Sequence, residues 1–228
     1  MPSLLSPTRL SAFAADCGAT TFPPEHYAPA PPPPDDHGTL HISAMDAEGV
    51  AVALTTTINT SFGSRVVTGR SGVVLNNEMD DFATRLGQPN AFGLVQGAQN
   101  AVQPGKRPLS SMTPTVVLGV DGEPELAVGG SGGPFIITAT MLALRAVIDD
   151  GASAVEAVSA PRWHHQWIPN ALLVEPGFGP TSELQAAGHD LRTIEKPFSS
   201  VQVVTRRPGG AFDAASDPRK GGAPAFSP

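Results

Sequence analysis

Four consecutive prolines, Pro31 to Pro34, follow Pro23-Pro24 and Pro29, and they divide the chain more sharply than any other feature. Proline fixes φ and lacks an N–H, so such a stretch is stiff and extended and cannot pair as a strand. Residues 1–38 are expected to be an arm or linker, and residues 39–228 to carry the domain. The arm begins Met1-Pro-Ser-Leu-Leu-Ser-Pro-Thr-Arg9, with neither a basic leader nor a useful apolar run, so it is expected to hold no export signal. Its Cys17 is the chain's single cysteine, which excludes an internal disulfide and reads as an incidental thiol.

The pattern changes immediately after the arm. Leu40, Ile42 and Ala44 alternate with other residues, Asp46-Ala-Glu-Gly49 offers a turn, and Val50 to Thr57 is rich in β-branched residues, which predicts a strand–turn–strand unit starting at Thr39. Residues 76–113 are rich in Asn, Gly, Gln and Pro with little periodicity, a length that marks a functional loop. A second hairpin is expected from Thr115–Leu118 and Glu125–Val128 across Asp121-Gly-Glu-Pro124, leading into the glycine cluster Gly129 to Gly133. Residues 135–149 read as a helix with Ile137, Met141, Leu144 and Ile148 in phase, and Ser153 as the cap of a second helix through Val158, both packing on a sheet. A strand at Leu172–Val174, a helix at Ser182–Ala187 and a hairpin of Ser200–Thr205 with Phe212–Ala215 complete an α+β layered fold.

The formal charge of −7 comes without a basic cluster, which argues against nucleic acid as a partner. The most apolar stretch, Ile136 to Ile148, contains Arg145 and runs into Asp149-Asp150, so no membrane-spanning segment is expected and the chain reads as soluble.

Several residues invite chemistry. Thr39 follows Gly38 where the arm meets the first strand; a threonine hydroxyl needs an adjacent base, and cleavage of Gly38–Thr39 would supply one as the residue's own α-amine. On spacing alone the structural reading comes first, since Gly-Thr is commonplace at strand starts. Glu78 and Asp81 place two carboxylates in one short segment, which suits an ammonium group, although taken alone the segment reads first as a solvated acidic turn or a capping motif; calcium is disfavoured because the loop lacks alternating oxygen ligands. Ser110 and Ser111 offer two hydroxyls after Pro108, for a carboxylate or for plain turn bonds. The N–H groups of Gly129 to Gly133 ahead of a helix suit a developing oxyanion, whereas a phosphate loop would need the Gly-Lys-Ser/Thr that Pro134-Phe135 replaces. Trp163-His-His-Gln-Trp167 lacks a metal-ligand pattern and reads as structural.

The ordered set Gly38-Thr39-Leu-His41, Thr57-Ile-Asn59, Phe62-Gly63-Ser64, Ser71-Gly72, Asn76-Asn-Glu-Met-Asp-Asp-Phe82, Pro104-Gly-Lys-Arg-Pro-Leu-Ser-Ser-Met112, Gly129-Gly-Ser-Gly-Gly133, Pro161-Arg-Trp-His-His-Gln166 and Ala215-Ser-Asp-Pro-Arg219 resembles the small subunit of gamma-glutamyltranspeptidases, from about His37 to near the C-terminus. The resemblance implies an N-terminal nucleophile hydrolase αββα sandwich, incomplete here because the large-subunit portion is missing and residues 1–38 are its remnant. It implies self-cleavage at Gly38–Thr39, with Thr39 as nucleophile, Thr57 partnering its amine or hydroxyl, and Gly132 and Gly133 as oxyanion donors. Asn59, Glu78 and Asp81 are then contacts to the substrate's α-amino end, and Ser110 and Ser111 to its α-carboxylate.

The implied substrates are glutathione and related gamma-glutamyl amides. The acceptor is water, an amino acid or a dipeptide, and neither metal nor cofactor takes part. A separate large-subunit chain is the implied partner, supplying further strands and an arginine for the α-carboxylate that no arginine here matches. The chain is then either a truncated product or half of a split enzyme, and the family's compartment suggests a periplasmic or extracellular setting. Two alternatives stand beside this one: a self-processing acylase of the cephalosporin type, and a catalytically silent fragment.

Overall fold

The structure is a computed structural model that describes residues 38–90, 92–195 and 199–226, with the isolated positions 7 and 11. The expected arm up to His37, Cys17 included, otherwise lies outside the described residues.

Two strands, β1 (Thr39–Met45) and β2 (Ala51–Thr57), pair antiparallel with Thr39 opposite Thr57. Asp46 closes their turn, its carboxylate accepting from the Val50 N–H at 2.8 Å while Gly49 takes φ +89°. A four-stranded antiparallel sheet follows, built from β3 (Thr115–Leu118), β4 (Pro124–Ser131), β8 (Ser200–Arg206) and β9 (Phe212–Ser216) in the order β3-β4-β8-β9. A small third sheet joins β5 (Trp163–His164), β6 (Leu172–Val174) and β7 (Leu191–Thr193), with β6 and β7 parallel. The two short strands β5 and β7 have no counterpart among the expected elements.

The large sheet has a different neighbour on each face. One side takes the helices α1 (Ile136–Ile148) and α2 (Ala154–Ser159), whose Ala139, Ala143, Ala154 and Val158 close on Leu126, Val128, Val201, Val203 and Ala215. The other side takes β1 and β2, which pack on β4 and β8. The sequence is hairpin, sheet, helix layer, so the expected α+β layering is present. A capping box starts α2: the Glu156 N–H donates to Ser153 Oγ and the Ser153 N–H to the Glu156 carboxylate, an arrangement that stabilises a helix by about 1 kcal/mol. The short α3 (Thr181–Ala186) lies before β7.

Both amphipathic elements turn the opposite way from their most apolar stripe. In α1 the buried face is Ile136, Ala139, Thr140 and Ala143, while the in-phase Ile137, Met141 and Ile148 are exposed. Alanines let the helix approach the sheet closely, and larger residues there would hold it off. In the hairpin, Thr39 and His41 are buried against the large sheet, whereas Leu40 and Ile42 stand 50% and 52% exposed.

The glycine cluster also divides. Gly129, Gly130 and Ser131 continue β4 and pair with Gln202, Val201 and Ser200, so only Gly132 and Gly133 form the turn into α1. A side chain at Gly129 would meet the His41 ring at 2.3 Å. Here glycine serves close packing of two layers rather than a loop.

The tail is pinned by a buried ion pair. Arg162 donates to Asp217 at 2.6 Å, with 2% and 0% of the two side chains exposed, and also to the Ser199 and Val158 carbonyls. Arg219 extends the network to Glu175, Asp217 and the last carbonyls of α2. Residues 217–220 are thereby fixed beside the hairpin.

Candidate active site

Three backbone and side-chain groups meet where the arm enters β1. Thr39 Oγ1 and Thr57 Oγ1 lie 2.9 Å apart, because the hairpin register sets these residues opposite each other on its inner face. Thr57 Oγ1 also donates to the Gly38 carbonyl at 3.3 Å, and the Ile58 N–H points at the same carbonyl from 3.4 Å. The Asn59 N–H donates to Thr57 Oγ1 at 2.8 Å and fixes its rotamer. The carbonyl before Thr39 is thus faced by two donors, with the Thr39 hydroxyl beside them. Gly38 admits no side chain, since a Cβ would sit 2.5 Å from the Asn59 carbonyl.

A cavity of 270 Å³ opens from this point and is lined by Thr39, Thr57, Asn59, Glu78, Asp81, Ser110, Ser111 and Gly133 among others. Eight of the nine residues singled out from sequence therefore converge. Gly132, at φ +140°, sits one position upstream at the head of the turn and is not part of the lining.

The acidic end is a single 3-10 turn, Glu78–Asp81, anchored by buried Phe82. Asn59, in the left-handed region at φ +74°, donates its side-chain amide to Asp81 at 3.2 Å and to the Asn77 carbonyl at 3.1 Å. Burial, then the like charge and hydrogen bond of Asp81, push the Glu78 carboxyl up to about 7. Burial raises Asp81 to about 6, with the Asn59 bond opposing and the Asp80 charge adding. Glu78 Oε1 is buried without a hydrogen-bond partner among the described residues. An ammonium group beside two carboxyls raised in this way would favour the ionised form of both. At the other end, Ser110 Oγ accepts from the Met112 N–H at 3.1 Å, so the turn reading holds for Ser110, while its proton is still available to an acceptor in the cavity.

Behind Thr39, His41 is buried and its ring pKa falls to about 4 through desolvation. Ser43 Oγ donates its one proton to the Gln202 carbonyl at 3.1 Å, so it accepts from His41 Nε2 at 3.0 Å, and His41 Nδ1 accepts from Thr55 Oγ1 at 2.7 Å. A cavity of 860 Å³ touches His41 and Ser43. This Ser–His contact carries no nucleophile, because the histidine proton points at the serine rather than away from it.

Lys220 reaches in from the tail, donating to the Thr39 carbonyl at 3.0 Å and to Ser131 Oγ at 3.1 Å. No sequence spacing points to it, since it lies 181 residues from Thr39. His164 and His165 stay out of the cavity: His164 bonds Thr138 Oγ1 at 2.7 Å and meets the Phe135 ring edge-on, in keeping with a structural segment.

Comparison with known proteins bears on the family and the fold. The profile of a family described as gamma-glutamyltranspeptidase matches residues 1–227. A glutathione hydrolase proenzyme of Escherichia coli is 46% identical over 188 residues, 82% of this chain and 32% of that protein. Among solved structures, a mutant gamma-glutamyltranspeptidase of Helicobacter pylori is 41% identical with a TM-score of 0.74, covering 79% of this chain and 99% of that one. A cephalosporin acylase of Bacillus halodurans, at 24% identity and a TM-score of 0.73 over 96% of this chain and 38% of that one, shares the fold alone. The chain spans about a third of the length of the curated relatives it matches.

Proposed function

Because the chain belongs to the gamma-glutamyltranspeptidase family, we propose that it is the small-subunit part of a gamma-glutamyl transferase and hydrolase whose nucleophile is Thr39. One observation carries the proposal: the Thr39 hydroxyl lies beside the Gly38 carbonyl at the mouth of a cavity with an acidic pair and two serines.

Maturation starts with Thr39 Oγ1 attacking the Gly38 carbonyl carbon. As the C–O bond forms, its proton passes to Thr57 Oγ1 and the Thr57 proton to the Gly38 oxygen, which the Ile58 N–H also supports. Collapse breaks the C–N bond, the Thr39 nitrogen takes the proton and becomes a free α-amine, and water hydrolyses the resulting ester to release the Thr39 hydroxyl and a Gly38 carboxylate. In turnover that amine takes the hydroxyl proton while Oγ1 attacks the gamma-carbonyl of glutathione or a related amide. The leaving amine departs with the proton, and water, an amino acid or a dipeptide resolves the acyl ester. Gly132 and Gly133 serve the oxyanion, Asn59, Glu78 and Asp81 the α-ammonium, and Ser110 and Ser111 the α-carboxylate.

The partner is a large-subunit chain. Leu40, Ile42 and Leu54 on one face and Ile137 and Met141 on another are exposed apolar surface of the kind a further layer covers. The isolated chain is expected to be silent until that layer docks. The acidic pair weighs against an acylase whose donor has no ammonium to ionise it, such as a glutaryl amide.

The test is co-expression with a large-subunit chain. Mass spectrometry is expected to find a fragment starting at Thr39, and Thr39→Ala to abolish both that fragment and hydrolysis of a gamma-glutamyl anilide. An active complex with an intact Gly38–Thr39 bond would refute the assignment.

A further inference from the structure

The loop between the two hairpins, residues 58–114, carries both ends of the cavity and very little secondary structure. Among the described residues it has two isolated bridges, Val67 with Val74 and Pro89 with Val95, and two single 3-10 turns. Backbone bonds knit its turns locally, and Asn100 is where the two ends of the cavity are tied to each other. Asn100 is 1% exposed. Its Nδ2 donates to the Asp81 carbonyl at 2.7 Å and to Gln96 Oε1, and its Oδ1 accepts from the Leu109 N–H at 2.9 Å. Its own carbonyl accepts from the Ala83 N–H at 2.9 Å.

We infer that Asn100 is a positioning residue that sets the spacing between the acidic pair and the Ser110–Ser111 hydroxyls, and so selects acyl donors bearing both an α-ammonium and an α-carboxylate. The inference rests on the roles proposed above for those groups. Asp81 is one of the two carboxylates and Leu109 directly precedes Ser110, so a single amide ties the two ends together. The substrate's two charges sit on one carbon, which leaves little tolerance: charge-assisted bonds weaken steeply once donor and acceptor part by more than about 0.5 Å. Only an amide of this length donates twice and accepts once. An aspartate would set an oxygen against the Asp81 carbonyl and Gln96 Oε1, while a serine is too short to span both loops.

The experiment compares the assembled two-chain enzyme with its Asn100→Asp and Asn100→Ser variants on three anilides. These are gamma-glutamyl, glutaryl, which lacks the ammonium, and 4-aminobutyryl, which lacks the carboxylate. The expected result is complete cleavage at Gly38–Thr39 and a gamma-glutamyl kcat/KM lower by about 10- to 100-fold, mostly through KM, with changes under about 3-fold for the other two. An equal loss on all three substrates, no loss on any, or failure of both variants to mature would overturn the inference. A parent enzyme with no gamma-glutamyl preference would sink the functional reading and this inference together. A preference left unmoved by the substitutions would sink only the latter.

Discussion

Replacing Thr57 by valine tests the maturation step in isolation, because the two side chains are nearly the same shape and only the hydroxyl is lost. That hydroxyl makes three contacts: 2.9 Å to Thr39 Oγ1, 3.3 Å to the Gly38 carbonyl and 2.8 Å from the Asn59 N–H. Loss of the third leaves one part-buried N–H without its acceptor, a stability cost of about 1–2 kcal/mol that the domain should survive. Loss of the second removes one of two donors at the developing oxyanion and leaves the Ile58 N–H at 3.4 Å. Removing a donor of this kind slows the step by about 10²- to 10³-fold. The long ground-state distance argues for the lower end, so maturation should slow by about 10²-fold, or about 2.7 kcal/mol. The assay follows precursor disappearance by intact-mass spectrometry in the assembled complex, with Thr57→Ser as the control expected to mature at close to the parent rate. Maturation of Thr57→Val at the parent rate would show that this hydroxyl neither polarises the Gly38 carbonyl nor relays the proton.

Charge governs the other expected outcomes. With Glu78 raised to about 7 and Asp81 to about 6, the pair is protonated at low pH and cannot hold an ammonium, so KM for a gamma-glutamyl anilide should rise by about tenfold or more from pH 8 to 5. Asp81→Asn should raise KM at pH 8 and flatten that dependence while leaving maturation intact; an unchanged profile would remove the pair from substrate binding. The same shifts mean that, without ligand, the stability from these two groups is present below their unfolded values near 4 and is lost as pH rises through about 7. His41 acts oppositely: its pKa is depressed to about 4, so its contribution is complete above 6.5 and lost as pH falls toward 4. Arg162→Met removes the closer of the two guanidiniums on buried Asp217 and leaves Arg219 at 3.1 Å, so it should cost about 3 kcal/mol, read as a lowered Tm; an unshifted Tm would mean the pair is dispensable.

Local chemistry was legible in the sequence where a short-range rule decides the outcome. The Asp46–Gly49 turn, the Ser153 cap and the β8–β9 hairpin are all where turn and capping residues put them. The convergence of Thr39, Asn59, Glu78 and Ser110 came from the order of the motifs, since no periodicity brings residues of a long irregular loop to one place. What stayed hidden has a common cause. Alternation in β1 and the stripe in α1 tell which side chains share a face, but not which face the rest of the chain covers, so Leu40, Ile42 and Ile137 turn outward. The glycines at 129 and 130 look like a turn, yet they extend a strand because the His41 ring and the Ser200 carbonyl press against them. Strands of two or three residues such as β5 and β7 are too short to display a period.

The two reactions proposed for Thr39 use one hydroxyl against carbonyls that arrive from different sides. The Gly38 carbonyl is met by groups at the end of β2, Thr57 Oγ1 and the Ile58 N–H, whereas a substrate carbonyl in the cavity is met by the glycine turn ahead of α1. The first set is carried by the hairpin's own register and by Gly38, which has no room for a side chain. The second depends on the large sheet and its helices. Lys220 spans the two, since its ammonium holds the Thr39 carbonyl and Ser131, the residue before Gly132. Maturation is therefore more than the removal of an arm: once Gly38 leaves, Thr57 loses the carbonyl it served and keeps only the Thr39 hydroxyl and the Asn59 N–H. The group that relayed a proton for cleavage is thereby left to orient the nucleophile.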